Sequence, residues 1–172
     1  MSDLTVQIGN LTLKNPVLTA SGTFGYGEEF SPFFDINDLG GMITKTITLK
    51  PRVGNPFPRI AETPSGMLNS IGLANVGVDA FITEKMPYLQ TLNTAVIVNV
   101  AGNTVDEYLE VVKRLENTNA RFDGYEINVS CPNVKEGGVA FGSNYKITAE
   151  ITQKVKALTR RCVIIKLTPN VT

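Results

Sequence analysis

The chain has 172 residues, with Lys plus Arg and Asp plus Glu balanced at 16 each and a net charge of zero. That length allows one domain with a real core, while the even charge offers no basic face for a nucleic acid backbone and no acidic tail. There is no histidine, so the usual general base, the usual metal ligand and every Ser-His or Cys-His pair are excluded, and proton chemistry must rest on Cys, Lys, Asp, Glu or Tyr.

The predicted elements run as follows. The opening MSDLTVQIGN lacks a charged-then-apolar signal pattern. Leu4 to Ile8 and Leu11 to Leu13 alternate around Gly9-Asn10, which predicts a hairpin. Pro16 to Ala20 is a short apolar strand stopped by Ser21-Gly22. Gly27 to Asp35 is weakly helical, and Met42 to Thr46 is a β-branched strand after Gly40-Gly41. Leu49 to Asn75 is a long irregular stretch with Pro51, Pro56, Pro58, Pro64 and three glycines. A connection that long in a compact domain is uncommon and often functional.

Gly77 to Thr91 places Val78, Phe81, Ile82, Met86 and Leu89 at helical spacing. Thr94 to Val100 is an almost wholly apolar strand. Thr104 to Asn117 is an amphipathic helix, with Thr104 and Glu107 spaced as a capping box. Gly124 to Val129 is the next strand, Tyr145 to Arg160 a helix, and Cys162 to Leu167 a last strand. Strands apolar on both faces, separated by single helices, predict an α/β fold of parallel βαβ units: a hairpin, then roughly five β/α steps. No linker or repeat divides residues 1–172, so one domain is expected. No apolar stretch approaches membrane-spanning length, and a reducing, cytoplasmic setting is the expectation.

The strand exits share a pattern. They end in Ala20-Ser21-Gly22, Lys45-Thr46, Asn99, Asn128 to Cys131, and Lys166. Each has a structural alternative, because a lysine can snorkel from a strand end and an asparagine can cap a turn. Together, at the C-terminal ends of successive parallel strands, they point to one shared pocket. Asn128-Val-Ser-Cys131-Pro-Asn133 is the densest case. A thiol between two carboxamides at a strand exit reads as a site, and equally as a turn with a small buried cysteine. The two cysteines, Cys131 and Cys162, lack CxxC spacing, so a disulfide framework, a zinc site or an iron–sulfur site within the chain is not expected. Cys162, which begins a strand, reads as core. The glycines of Gly22-Thr-Phe-Gly25-Tyr-Gly27 have the wrong spacing for a dinucleotide fingerprint.

Asn128-Val-Ser-Cys131-Pro-Asn133-Val and Glu136-Gly-Gly-Val-Ala-Phe-Gly142 resemble the active-site loop of class 1 dihydroorotate dehydrogenases, most closely the 1B, NAD-linked branch. Asn15 to Gly22, Thr44-Lys45-Thr46, Gly66 to Leu73 and Ile165-Lys166-Leu agree with that family in order. The resemblance implies a (β/α)8 TIM barrel with an N-terminal β-hairpin that carries FMN and oxidises dihydroorotate to orotate in pyrimidine synthesis. Cys131 would take a proton from C5 of the substrate while C6 delivers hydride to FMN. Asn69, Asn128 and Asn133 would hydrogen-bond the substrate, and the backbone of Ile71, Gly72 and Leu73 would seat its carboxylate. Lys45 would lie between flavin and substrate. Lys166 would sit beside the flavin's N1–O2 edge, and Ala20, Ser21, Thr46, Asn99 and Asn128 would complete the flavin site.

A (β/α)8 barrel takes about 250 residues. The expectation is therefore a barrel truncated after about five β/α units, with strands six to eight and their phosphate-binding loops missing. In the 1B branch a homodimer of catalytic chains works with a partner subunit carrying FAD and [2Fe–2S]. The alternatives are the fumarate-linked 1A branch, an inactive barrel fragment or assembly module, and a dihydropyrimidine dehydrogenase domain. Asn133-Val134 speaks against the last.

Overall fold

Gly9 takes φ of +57°, a conformation open to glycine, and turns β1 (Val6–Ile8) back onto β2 (Leu11–Leu13) with Ile8 opposite Leu11. The computed structural model describes residues 2–130, 135–136, 139–140 and 144–168. After this hairpin come two short 3₁₀ turns, Glu28–Phe30 and Ile36–Asp38, and then β3 (Gly41–Ile43). The long connection that follows contains β4 (Ile60–Thr63) and β5 (Gly66–Asn69). A helical run follows as α1 (Gly77–Ala80), a π-helical turn (Phe81–Lys85) and α2 (Met86–Leu89). The rest alternates: β6 (Ala95–Val100), α3 (Val105–Glu116), β7 (Gly124–Asn128), the two-residue strands β8 (Lys135–Glu136) and β9 (Val139–Ala140), α4 (Tyr145–Leu158) and β10 (Cys162–Lys166).

The four long-range strands form one parallel sheet in the order β3-β6-β7-β10. Leu18 adds a fifth parallel segment through a single bridge to Gly41. Spatial order therefore equals chain order. That is the winding of a barrel, each β/α unit stepping to the next position, rather than of a doubly wound sheet that reverses at a switch point.

The alternation along these strands separates two cores. Met42, Val96, Val98, Val100, Tyr125 and Ile127 pack outward against Phe81, Met86, Tyr108, Val111, Leu115 and Ile151 of the helices. Each such side chain contributes about 1.5–3 kcal/mol when fully buried. Ile43, Ile97 and Cys162 face the other way and meet Leu11 and Leu13 of the hairpin. The hairpin thus closes the floor at the N-terminal ends of the strands, where Asn10 Nδ2 donates to Arg160 O at 2.8 Å. Cys162 is core as expected, and burial pushes its thiol up from the ordinary value.

Several expectations are corrected. Pro16 to Ala20 makes only the Leu18 bridge, since proline has no N–H for a ladder. The helical tendency of Gly27 to Asp35 is realised as a single 3₁₀ turn. The Leu49 to Asn75 connection is not wholly irregular: β4 and β5 pair antiparallel, Thr63 opposite Gly66. The box at α3 is half formed. Thr104 Oγ1 accepts from Glu107 N at 3.3 Å, but Glu107 Oε2 accepts from Asn103 N at 2.6 Å, one residue before the cap. The helix predicted over Gly77 to Thr91 is continuous but widens to a π turn ahead of Pro87, which cannot donate an intrahelical bond.

Candidate functional site

The Met42 to Thr46 strand ends early because β3 bulges. Ile43 pairs with Ile97 and Ile47 pairs with Val100, so the β3 side carries one residue more between these pairs. Within the bulge Lys45 N leaves the ladder and donates to Gly25 O at 2.7 Å. Lys45 and Thr46 line a cleft of about 440 Å³ with Ser21 and, from the long connection, Asn69, Ile71, Gly72 and Leu73. Seven of the predicted residues thus meet at one opening.

The connection is held over the strand exits by two carboxamides. Asn75, buried, donates through Nδ2 to Thr48 Oγ1 and to Leu73 O, each at 2.9 Å. Its Oδ1 accepts from Gly77 N at 2.9 Å and Thr48 N at 3.2 Å. Asn55 donates to Ser70 Oγ at 2.9 Å, and its N–H to Ile71 O at 3.1 Å. Gly72 and Leu73 take φ of +73° and +57°. A Cβ on Gly72 would stand 2.7 Å from Asn55 N, so the turn needs glycine both for its angle and for this approach. Among the described residues the N–H groups of Ile71, Gly72 and Leu73 donate to no protein acceptor.

Beneath this opening lies a polar layer. The inward alternation that gives Ile97 and Cys162 at the floor gives Asn99, Glu126, Asn128 and Lys166 further along the same strands. Lys166 Nζ donates to Ser21 Oγ at 3.0 Å, tying β10 to the segment after Leu18. Asn99 Nδ2 donates to Glu126 Oε1, and the Asn99 oxygen is buried without a partner among the described residues. Asn128 Oδ1 accepts from Ser130 Oγ at 2.6 Å and Ser130 N at 3.2 Å, while its backbone oxygen accepts from Tyr108 Oη at 2.8 Å. That fixes the strand exit immediately before Cys131.

A dihydroorotate dehydrogenase family model matches residues 3–172. The chain belongs to the dihydroorotate dehydrogenase family. It is 54% identical over 170 residues to the dihydroorotate dehydrogenase B (NAD(+)) catalytic subunit of Geotalea daltonii, covering 99% of this chain and 55% of the relative. It is likewise 54% identical over 169 residues to the same-named subunit of a Thermoanaerobacter species, covering 98% of this chain and 55% of that one. The chain therefore spans about half the length of the curated relatives it matches. In fold it resembles the crystal structure of a DHODH from Eimeria tenella in complex with ferulenol, with a TM-score of 0.77 over 99% of this chain and 53% of that one at 24% identity.

Within this dihydroorotate dehydrogenase family chain the expected positions divide four ways. Ser21, Lys45, Thr46, Asn69, Ile71, Gly72 and Leu73 share the cleft. Ala20 sits exposed beside it, its oxygen accepting from Thr23 N at 3.0 Å, while Asn99, Asn128 and Lys166 belong to the barrel layer below. Cys131 and Asn133 lie outside the described residues. Three residues escaped the sequence reading. Glu126 was legible as a charge inside a buried strand, a costly placement that signals a partner. Asn55 and Asn75 had no signal beyond being polar loop residues.

Proposed function

We propose that this chain forms the active-site half of a dihydroorotate dehydrogenase, which oxidises dihydroorotate to orotate in de novo pyrimidine biosynthesis with FMN as the acceptor. The observation that carries this reading is the convergence of Lys45, Asn69 and the free N–H groups of residues 71–73 on one cleft, above an inward layer of Asn99, Asn128 and Lys166.

The residues present fit a flavin ring. The unpaired Asn99 oxygen calls for a donor, and two lysines supply positive charge where electron density would gather on a reduced ring. When bound, FMN supplies a two-electron acceptor for the hydride leaving C6. The chain's own residues do the rest. Cys131 accepts the C5 proton as a thiolate, the form of a thiol that acts as a base. Asn69, Asn128 and Asn133 hydrogen-bond the ring and its carboxylate, and the N–H groups of Ile71, Gly72 and Leu73 seat that carboxylate. Lys45 would supply fixed charge between the two binding regions, and Lys166, held by Ser21, would hold the flavin together with Ala20, Ser21 and Thr46.

Both sheet edges, at Leu18 and β10, lack a partner among the described residues, which supports a barrel that closes over further strands. The relatives' name, a catalytic subunit of an NAD(+) enzyme, supports a B-type assembly, which we place in the cytoplasm. In it a homodimer of catalytic chains passes electrons to a partner subunit carrying FAD and [2Fe–2S].

The test is an anaerobic visible spectrum of the chain with FMN, before and after dihydroorotate. Bleaching of a protein-bound flavin band is expected wherever the site is complete, and Cys131→Ser should slow that bleaching while leaving orotate binding intact. Equal loss of both would remove Cys131 as the base. Absence of bound flavin would confine the activity to a longer form of the protein.

A further inference from the structure

We propose that Glu126 is a positioning residue: its carboxylate holds the Asn99 carboxamide with the oxygen turned into the barrel, so that the site selects a ring edge bearing an N–H donor. The inference deepens the flavin reading above and rests on it. Asn99 and Glu126 stand opposite each other on β6 and β7, both on the inward face, with Asn99 wholly buried and Glu126 only 7% exposed.

A carboxamide is nearly symmetric in shape, so packing alone does not decide which way its nitrogen and oxygen point. Glu126 decides it. A carboxylate only accepts, so the Asn99 nitrogen must face it, as it does in the Nδ2 to Oε1 bond. The oxygen is thereby turned away, and among the described residues nothing donates to it. Thr44 Oγ1 accepts from the Asn99 backbone N–H at 3.2 Å, and no bond joins it to the side-chain oxygen. A buried acceptor left without a donor is costly, and a ligand that brings one recovers that cost on binding. The oxidised isoalloxazine ring carries a single N–H, between two carbonyl groups, and that edge is what the fixed oxygen would select. Glutamine at position 126 would remove the selection, since its own amide accepts from the Asn99 nitrogen or donates to the Asn99 oxygen equally well.

The experiment compares binding of FMN with binding of 3-methyl-FMN, which lacks that N–H, to the wild-type chain and to Glu126→Gln by quenching of flavin fluorescence. The wild type should prefer FMN at least about tenfold, because a site built around a hydrogen bond rejects the analogue that cannot make it. Glu126→Gln should lose most of that preference while melting at the same temperature, which a merely structural role would not produce. A wild type that fails to discriminate, or a variant that discriminates equally, overturns the proposal. If the wild type retains no flavin, flavin binding is confined to a longer form of the protein, and Glu126 is then judged in the free chain. There the Asn99 side-chain amide resonances, identified by their loss in Asn99→Asp, should shift in Glu126→Gln; unchanged resonances overturn the proposal.

Discussion

Asn75 is the residue on which the long connection turns. It joins Thr48, just beyond the bulge, to Leu73 in the cleft wall and to Gly77 at the start of α1. Asn75→Ala removes its four hydrogen bonds and strands buried donors, for a loss of about 4 kcal/mol at roughly 1 kcal/mol per bond. Urea unfolding measures it, and a loss below about 1 kcal/mol would mean that solvent replaces the carboxamide. Lys166 and Ser21 make a second residue-scale case. Ser21→Ala leaves the Lys166 charge in place but frees its position, so FMN affinity should fall severalfold with little change in melting temperature. An unchanged affinity in a flavin titration would detach Ser21 from the site. The strand-exit residues were legible because polar groups that end apolar runs break a strong pattern. Glu126 was passed over, because it sits inside such a run and was read as part of it, although its charge was the legible exception. Nothing in the sequence tells Asn75 from the other loop asparagines, since its role depends on contacts with Thr48, 27 positions away.

At the scale of elements, α4 follows in sequence the segment that carries Cys131 and Asn133. Asn144 caps it, its Oδ1 accepting from Lys146 N at 3.0 Å and Ile147 N at 3.3 Å. Asn144→Ala should cost about 1 kcal/mol, measured by thermal or urea unfolding. The core strands β6, β7 and β10 and the helices α3 and α4 could be read directly, because each is long and buries one clear face. The β4–β5 hairpin could not. Every residue of both strands is exposed, so neither carries the alternation by which a half-buried strand announces itself. The bulge in β3 was equally hidden, because a one-residue mismatch is a property of two strands and appears in neither alone.

For the whole molecule, ionisation of buried phenols sets an upper pH limit. Burial pushes Tyr26 from 10.0 up to about 12, and burial with the hydrogen bond to Glu116 also pushes Tyr125 up. The unfolded chain releases these protons near the ordinary value of about 10 while the folded chain keeps them. Stability is therefore intact below about pH 10 and falls as the pH rises toward 12. Melting temperatures across that range should drop steadily, and a flat profile would mean that water reaches both rings. The two sheet edges that lack a partner among the described residues predict a further behaviour of the molecule. Light scattering should show association that grows with concentration, because unpaired parallel edges template pairing. A clean monomer would mean that both edges are covered. Parallel βαβ units were legible from the alternation of elements, and the barrel came only with the family resemblance. The sealing of its floor by the first hairpin was not, since short strands of three residues do not say what they pack against.

That hairpin has a practical side. Its turn at Gly9-Asn10 lies at the strands' N-terminal ends, against Arg160, while the cleft opens at the opposite ends. Thr12, exposed on β2, is therefore an attachment point for a surface tether or a dye that leaves the mouth unobstructed. A chain immobilised through that position would present its cleft to solution in a uniform orientation, and small ligands could be read on a sensor chip without the anchor competing for the opening.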